Sequence, residues 1–187
     1  MPGSPEMPGC AEKSVADFDC LLITRPQAEA EDLAARLSLL DIDVVLQPAH
    51  EFSRADISTA ELEGIASAAA TVPQPLLVFT STRAVQFALQ QLPLPLLQSC
   101  RLAAIGQATA AALQDAGLEE VLLPESGYRS EDLLQTLDAK HVAARQAWIV
   151  AAAGGRQALL EGLRQRGLDA RMLLVYRRQP APVPEGN

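Results

Sequence analysis

Seven short, nearly unbroken apolar runs recur along the chain, and segments with helical spacing lie between them. The runs are LLIT (21–24), DVVLQ (43–47), LLVFTS (76–81), RLAAIG (101–106), EVLLPE (120–125), AWIVAA (147–152) and ARMLLVYRRQ (170–179). A strand with one face in water alternates apolar with polar residues, whereas a strand buried on both faces reads as a continuous apolar stretch. Burying both faces takes a layer of helices on each side, and strand–helix alternation builds this as a parallel sheet. The expected fold class is therefore α/β, a flavodoxin-like doubly wound parallel sheet.

The intervening segments carry matching signals. Leu33, Leu37 and Leu40 share one stripe of AEAEDLAARLSLL. Ser58 or Thr59 caps the next helix, with Leu62, Ile65 and Ala69 facing in, and TRAVQFALQQL packs Val85, Leu89 and Leu92. Gly117 and Gly167 stand where helices stop. SEDLLQTL opens with Ser130 as N-cap and acids in its first turn, which suits the helix dipole. Pro93 and Pro95 predict a loop.

Five runs between Leu76 and Val175 suffice for one domain, whereas the first two make a βα unit and a strand, too little to fold alone. The expected organisation is a flexible N-terminal extension over 1–19, a partial first α/β domain over 20–48 and 178–187 with connectors, and a complete flavodoxin-like domain over 49–177 inserted into it. Residues 49–58 are read as a linker, and the Pro-rich YRRQPAPVPEGN as the exit.

Hydrophobic residues make up 49% of the chain and charged residues 20%, a globular composition, and a net charge of -8 argues against a nucleic-acid or anionic-membrane surface. No apolar run approaches a membrane span, and residues 1–19 lack the basic-then-apolar pattern of a secretion signal. Three cysteines, an odd number, fit reduced thiols in a cytoplasm; Cys20 and Cys100, at strand starts, read as small core residues.

The motifs GxGxxG, GxxxxGK[ST], HExxH and CxxC are absent, no acidic cluster stands at the strand ends to hold magnesium, and His50 and His141 lie alone in polar surroundings. No metal site is expected. The carboxyl ends of the strands carry instead Thr24-Arg25-Pro26, Thr80-Ser81-Thr82, Gly106 through Thr109, Ser126-Gly127 with Ser130, and Gly154-Gly155-Arg156. Ligands of open α/β sheets bind at that edge, and each helix start offers unpaired N–H groups with a partial positive charge. Capping alone accounts for any one of these positions. Their succession along one edge, without a strong acid or base, points to a rim for a polyanion.

Tyr176 sits where the last strand leaves the domain. It is either a packing tyrosine with its hydroxyl at the surface or a phenol able to donate a proton to a leaving group. Tyr128 reads as a loop aromatic covering the rim. Arg25, Arg83 and Arg156 are solvated helix-start side chains or partners for ligand carboxylates.

Taken in order, LLITRPQAEAEDLAARL, LLVFTSTRAVQFAL, LAAIGQATAAALQDAGL, LLPESGYRSEDLL, GGRQALLEGLRQRG and LLVYRRQP resemble the uroporphyrinogen-III synthase (HemD) family from Leu21 to Pro180. The resemblance implies two flavodoxin-like domains joined by a pair of connecting strands, with the active site in the cleft between them. It implies a lyase of haem (porphyrin) biosynthesis that closes hydroxymethylbilane, a linear tetrapyrrole rich in carboxylates, into uroporphyrinogen III with inversion of the last pyrrole. No cofactor is used, and hydroxymethylbilane synthase is the implied upstream donor. Matched motif by motif, Thr24, Arg25, Ser81, Thr82, Gly106, Thr109, Ser130, Gly155 and Arg156 fall on carboxylate-gripping edges. Tyr176 falls on the family's tyrosine in the VY connector and is expected to assist departure of the hydroxyl. The family continues after VYRR with a second strand–helix series, so the first domain is expected to lack its C-terminal half here. Readings from other classes are a non-catalytic anionic-ligand-binding module and an inactive fragment.

Overall fold

The first run forms β1 (Leu21–Ile23) of the computed structural model, which describes residues 20–40, 42–154 and 157–182. Helix α1 (Gln27–Leu37), a 3-10 turn (Ser38–Leu40) and β2 (Val44–Leu46) follow. β1 and β2 pair in parallel with Leu22 opposite Val45, and Ile23 and Ala30 are buried between strand and helix. Glu29 in the first turn of α1 and Arg36 in the last both complement the helix dipole. Leu40 was expected on the inward stripe but is 67% exposed. The helix ends at Leu37, and the tighter 3-10 period swings Leu40 off the apolar stripe.

β3 (His50–Arg54) comes next, then α2 (Thr59–Ala69), β4 (Leu76–Phe79), α3 (Thr82–Leu89) and α4 (Leu94–Gln98). The chain continues through β5 (Arg101–Ala104), α5 (Gln107–Asp115), β6 (Val121–Leu122), α6 (Ser130–Ala139), β7 (Gln146–Ala152), α7 (Gln157–Gln165) and β8 (Asp169–Pro180). The described residues up to Glu51, with those from Pro180, cluster as one unit, and Phe52–Gln179 as another.

The sheet order is β3-β8-β7-β4-β5-β6, and every pair from β8 to β6 is parallel. Along β4, Leu77 and Phe79 enter one apolar cluster with α2, α3, α4 and α5, while Leu76 and Val78 enter a second with α6 and α7. Successive side chains point to opposite faces, so a strand covered on both sides needs an apolar residue at each position. The same division separates Trp148 and Val150 from Ala147 and Ile149 on β7. This is the doubly wound α/β arrangement. Its connections run one way from β4 and the other way from β7, which places the topological switch between those two strands. Flavodoxin's own order leaves one strand beyond the switch on that side; here β5 and β6 both lie beyond β4.

Three local expectations change. Residues 49–58, read as a linker, contain β3, which lies beside β8. Its HEFSR sequence lacks the apolar run of a central strand because it is an edge strand, with Phe52 packed against the core. The loop expected at Pro93 and Pro95 is α4, with Pro93 as N-cap and Pro95 in the first turn, where a missing N–H costs no helical bond. Cys20 is exposed rather than a core residue, whereas Cys100 is buried. The Ser58 cap is present as a full capping box with Glu61. Gly117 and Gly167 end their helices at φ +82 and +80, in the left-handed region open to glycine.

Burial pushes the Cys100 thiol up from 9.0 to about 11, and its Sγ donates to Leu96 O at 3.2 Å. The folded chain therefore keeps a proton that the unfolded chain loses first. The stability this adds is complete below pH 9.0 and is lost as pH rises toward about 11. Urea midpoints across that window are expected to fall more steeply for the native sequence than for Cys100→Ala; parallel slopes would contradict it.

Candidate functional site

The carboxyl end of β4 is tied to β7 at the switch, where Thr80 donates to Val150 O through both its N–H (3.3 Å) and its Oγ1 (3.1 Å). The next residue, Ser81, is the N-cap of α3, and its Oγ accepts from Ala84 N at 3.1 Å. Thr82 follows in an exposed position at the first turn. Arg83 and Phe87 stand four residues apart and so share one face of α3.

Tyr176 reaches this corner because of a β-bulge. Ala151 pairs with Leu174, but Ala152 pairs with Tyr176, so Val175 is the extra residue. Strict alternation would put Tyr176 on the face opposite Val175, yet the bulge buries both in one cluster, at 9% and 0% exposure. The Val175 carbonyl accepts from Ala55 N at 3.0 Å and from Gln91 Nε2 at 3.3 Å, and Gln91 Oε1 takes Ile57 N at 2.9 Å. The bulge is thus held by backbone and side chain together.

Around Tyr176 gather aromatic rings that are scarce elsewhere in the chain. Phe87 stacks on it with centroids 5.4 Å apart, and Phe52 meets it edge-on at 5.7 Å. The Arg83 guanidinium lies 3.6 Å over the Phe52 ring, a cation–π contact. The Tyr176 hydroxyl is 3.4 Å from Ser81 Oγ. A phenol, a helix N-cap and a guanidinium are therefore held within one corner by apolar packing.

The neighbouring corner follows β5. Gly106 is the N-cap of α5 with an extended backbone, so its need for glycine is not conformational. A Cβ there would meet Tyr128 Cδ1 at 3.2 Å. Tyr128 lies over Gly106 and is 67% exposed. Thr109 is 6% exposed, on the inner side of α5, and Ser130 is 4% exposed at the first position of α6. The N-cap is Arg129, not Ser130 as expected, and its N–H donates to Asp132 Oδ2 at 2.9 Å. That carboxylate also lies against Gly127. The start of α6 therefore holds an anionic group of its own.

Thr24 and Arg25 follow β1 in the other unit; Thr24 O accepts from Ala49 N at 3.0 Å, and Arg25 is 3.9 Å from Glu29. Gly155 and Arg156 lie outside the described residues. Ser81, Thr82, Gly106 and Tyr176 are thus placed at the carboxyl edge of the six-stranded sheet, and Thr109 and Ser130 are buried behind it. Sequence reasoning did not find Phe52, which sat in a segment read as linker, nor Phe87 and Gln91, whose helical spacing marks only an apolar face.

The carboxylates with shifted acidity lie elsewhere. A hydrogen bond from Arg166 holds the Asp138 carboxyl below its usual range, and one from Arg171 does the same for Asp169. They stand at the last turn of α6 and the start of β8, away from the carboxyl edge. A cavity of about 630 Å³ opens at the amino end of the sheet between Leu97, Arg101 and Glu120. Among the described residues no group of three His, Cys, Asp or Glu side chains could hold a metal ion, and no helix is long and apolar enough to cross a membrane. The carboxyl edge offers hydrogen-bond donors and two phenols, exposed Tyr128 and buried Tyr176, a set suited to gripping anions and to handing over a proton.

A family model described as uroporphyrinogen-III synthase HemD matches residues 31–187. The uroporphyrinogen-III synthase of Escherichia coli (strain K12) is 32% identical over 162 residues, and that of Salmonella typhimurium is 34% identical over 164. Each alignment takes in 84% of this chain and 64% of the relative, so the chain spans 64% of the length of these curated relatives. A crystal structure of a mutant uroporphyrinogen III synthase from the extremely thermophilic bacterium Thermus thermophilus superposes with a TM-score of 0.61 at 20% identity, over 88% of this chain and 64% of that one. The synthetase of Helicobacter pylori gives 0.50 at 20% identity, over 77% and 59%. At that identity the likeness is one of fold.

Proposed function

The chain belongs to the uroporphyrinogen-III synthase family, and on that premise we propose that it cyclises hydroxymethylbilane to uroporphyrinogen III with inversion of the last pyrrole ring. The single observation that carries this from the structure is the corner at the topological switch, where Tyr176 and the α3 N-cap Ser81 stand 3.4 Å apart. Ligands of doubly wound sheets bind outside the strand ends at such a point.

The chemistry asks little acid–base power of the protein. The terminal hydroxyl leaves as water, taking one proton and giving an electrophilic azafulvene. The substituted carbon of the last pyrrole attacks it, and the spiro intermediate opens and recloses with that ring inverted. Loss of a proton restores the pyrrole, so one water is released overall. Spontaneous closure goes through the unsubstituted position instead, and the task is to dictate which carbon attacks. Gripping the substrate's carboxylates in one pose supplies that control. Ser81, Thr82 and the backbone at Gly106 are the grips in this unit, through helix-start N–H groups that act locally despite a net charge of -8. Buried Thr109 packs on the inner side of α5 and buried Ser130 on that of α6, behind the edge that grips substrate. Tyr176 supplies the proton for the departing hydroxyl. We place the reaction in the cytoplasm, with hydroxymethylbilane synthase supplying its substrate, and with no cofactor.

The test is direct. Hydroxymethylbilane is added to the purified chain and the porphyrinogens are oxidised and resolved as isomers I and III. Isomer III in excess over the spontaneous reaction is expected. Isomer I alone would overturn the proposal, and saturable binding of the tetrapyrrole under those conditions would favour a non-catalytic binding module.

A further inference from the structure

We infer that Ser81 is a positioning residue that donates its hydroxyl proton to the Tyr176 oxygen, leaving the phenolic proton aimed away from the helix and toward the group that departs. The inference rests on the proposed role of Tyr176 and adds the direction of one hydrogen bond. Either atom of the pair has the chemistry to be the donor. The surroundings of Ser81 favour Ser81 as the donor. Its Oγ already accepts Ala84 N at the start of α3, where the first N–H groups of the helix crowd one side. One lone pair is taken by Ala84 N and the helix-start donors lie on that side, which leaves the hydroxyl proton free to turn outward to the Tyr176 oxygen.

The phenol is held to receive it. Phe87 stacks on the ring at 5.4 Å, Phe52 closes the edge at 5.7 Å, and the bulge at Val175 fixes the backbone. A phenol that accepts a hydrogen bond becomes a better donor in turn, since bonds in a chain polarise one another. The chain would run from the α3 N–H groups through Ser81 and Tyr176 to the substrate hydroxyl. At 3.4 Å the Ser81–Tyr176 contact is long for O–H···O, and contacts of this kind shorten when substrate binds.

Four variants separate this role from plain capping. Ser81→Ala loses both cap and donor. Ser81→Asp keeps the oxygen for Ala84 N but has no proton to give, so Tyr176 must donate to it. Ser81→Asn and Ser81→Thr keep an oxygen and a donor. Ser81→Ala is expected to lower both the unfolding midpoint and, by about tenfold, kcat. Ser81→Asp is expected to recover the midpoint but not kcat, and to raise KM, because a carboxylate then stands at a grip for the substrate's carboxylates. Ser81→Asn and Ser81→Thr are expected to recover most of the loss in both. In a Tyr176→Phe background the kcat differences among the four should vanish, because the hydroxyl through which they act is gone. Persistence of the Ser81→Ala loss in that background overturns the inference.

A second readout needs no turnover. With Tyr128→Phe, Tyr176 is the only tyrosine left, and the infrared C–O stretch of its phenol reports whether the oxygen accepts or donates. An acceptor signature is expected with Ser81 and with Ser81→Thr, and a donor signature with Ser81→Asp. A donor signature with native Ser81 overturns the inference. An acceptor signature in a chain that forms only isomer I upholds the hydrogen-bond direction and sinks the proposed function, so the two failures are told apart.

Discussion

Tyr176→Phe is expected to slow the proposed formation of uroporphyrinogen III about tenfold to a hundredfold, at or below the foot of the range for a positioned proton donor. The substitution removes one oxygen and leaves the ring. Stacking on Phe87 and the edge contact with Phe52 survive, so the fold around the bulge stays as it is. KM should change little, because the carboxylate grips proposed at Ser81, Thr82 and Gly106 are untouched. The ratio of isomer III to isomer I among enzymatic products should also hold, since pose decides which carbon attacks and the phenol only helps the hydroxyl depart. Activity is not abolished, because the substrate loses its hydroxyl slowly unaided. Single-turnover rates with isomer analysis measure both quantities. An unchanged rate, or a rate kept with a shift toward isomer I, would assign Tyr176 to binding instead of proton donation.

Phe79→Ala is expected to destabilise the chain by about 3–5 kcal/mol. Phe79 is fully buried at the end of β4, one of the two middle strands, in the cluster with Val85, Ala88 and Trp148. A truncation there loses the transfer energy of the ring and leaves a cavity that neighbouring strands, hydrogen-bonded on both sides, cannot collapse into. Against a total of about 5–15 kcal/mol for a domain, that is a large share. The same residue immediately precedes Thr80 and Ser81, so the corner at the switch should loosen with it. Phe79→Leu, which keeps most of the volume, should cost about 1.5 kcal/mol or less. Urea denaturation of both variants gives the comparison; a loss below about 1 kcal/mol for Phe79→Ala would show that the centre of the sheet is not the packed core described above.

Much of the fold was legible along the chain. The runs at Leu76, Arg101 and Ala147 mark strands to within a residue at their starts, and Ser58, Gly117 and Gly167 mark helix ends where capping and left-handed backbone require them. The carboxyl-edge position of Ser81, Thr82 and Gly106 follows from the same pattern, since any residue just after a parallel strand lands there. Ser130 and Thr109 were also read as edge residues from their place after the strands, and the structure buries both side chains, at 4% and 6% exposure. A hydroxyl in the first turn of a helix is as readily turned inward as outward, and only packing against the neighbouring layer selects. β3 was missed for a related reason. An edge strand needs no second apolar face, so HEFSR carries no strand signal of its own.

What the amino-acid order determined by itself is the architecture of layers, because burial on both faces is written into each strand by its own residues. The tertiary structure alone decided the chemistry of the corner. The bulge that turns Tyr176 beside Val175 depends on Ala55 and Gln91, and the ring's neighbours come from β3 and α3. Tyr176 and Ser81 stand 95 residues apart in the chain. Contacts at such separations are set by how the sheet closes, and no local period of apolar residues encodes them.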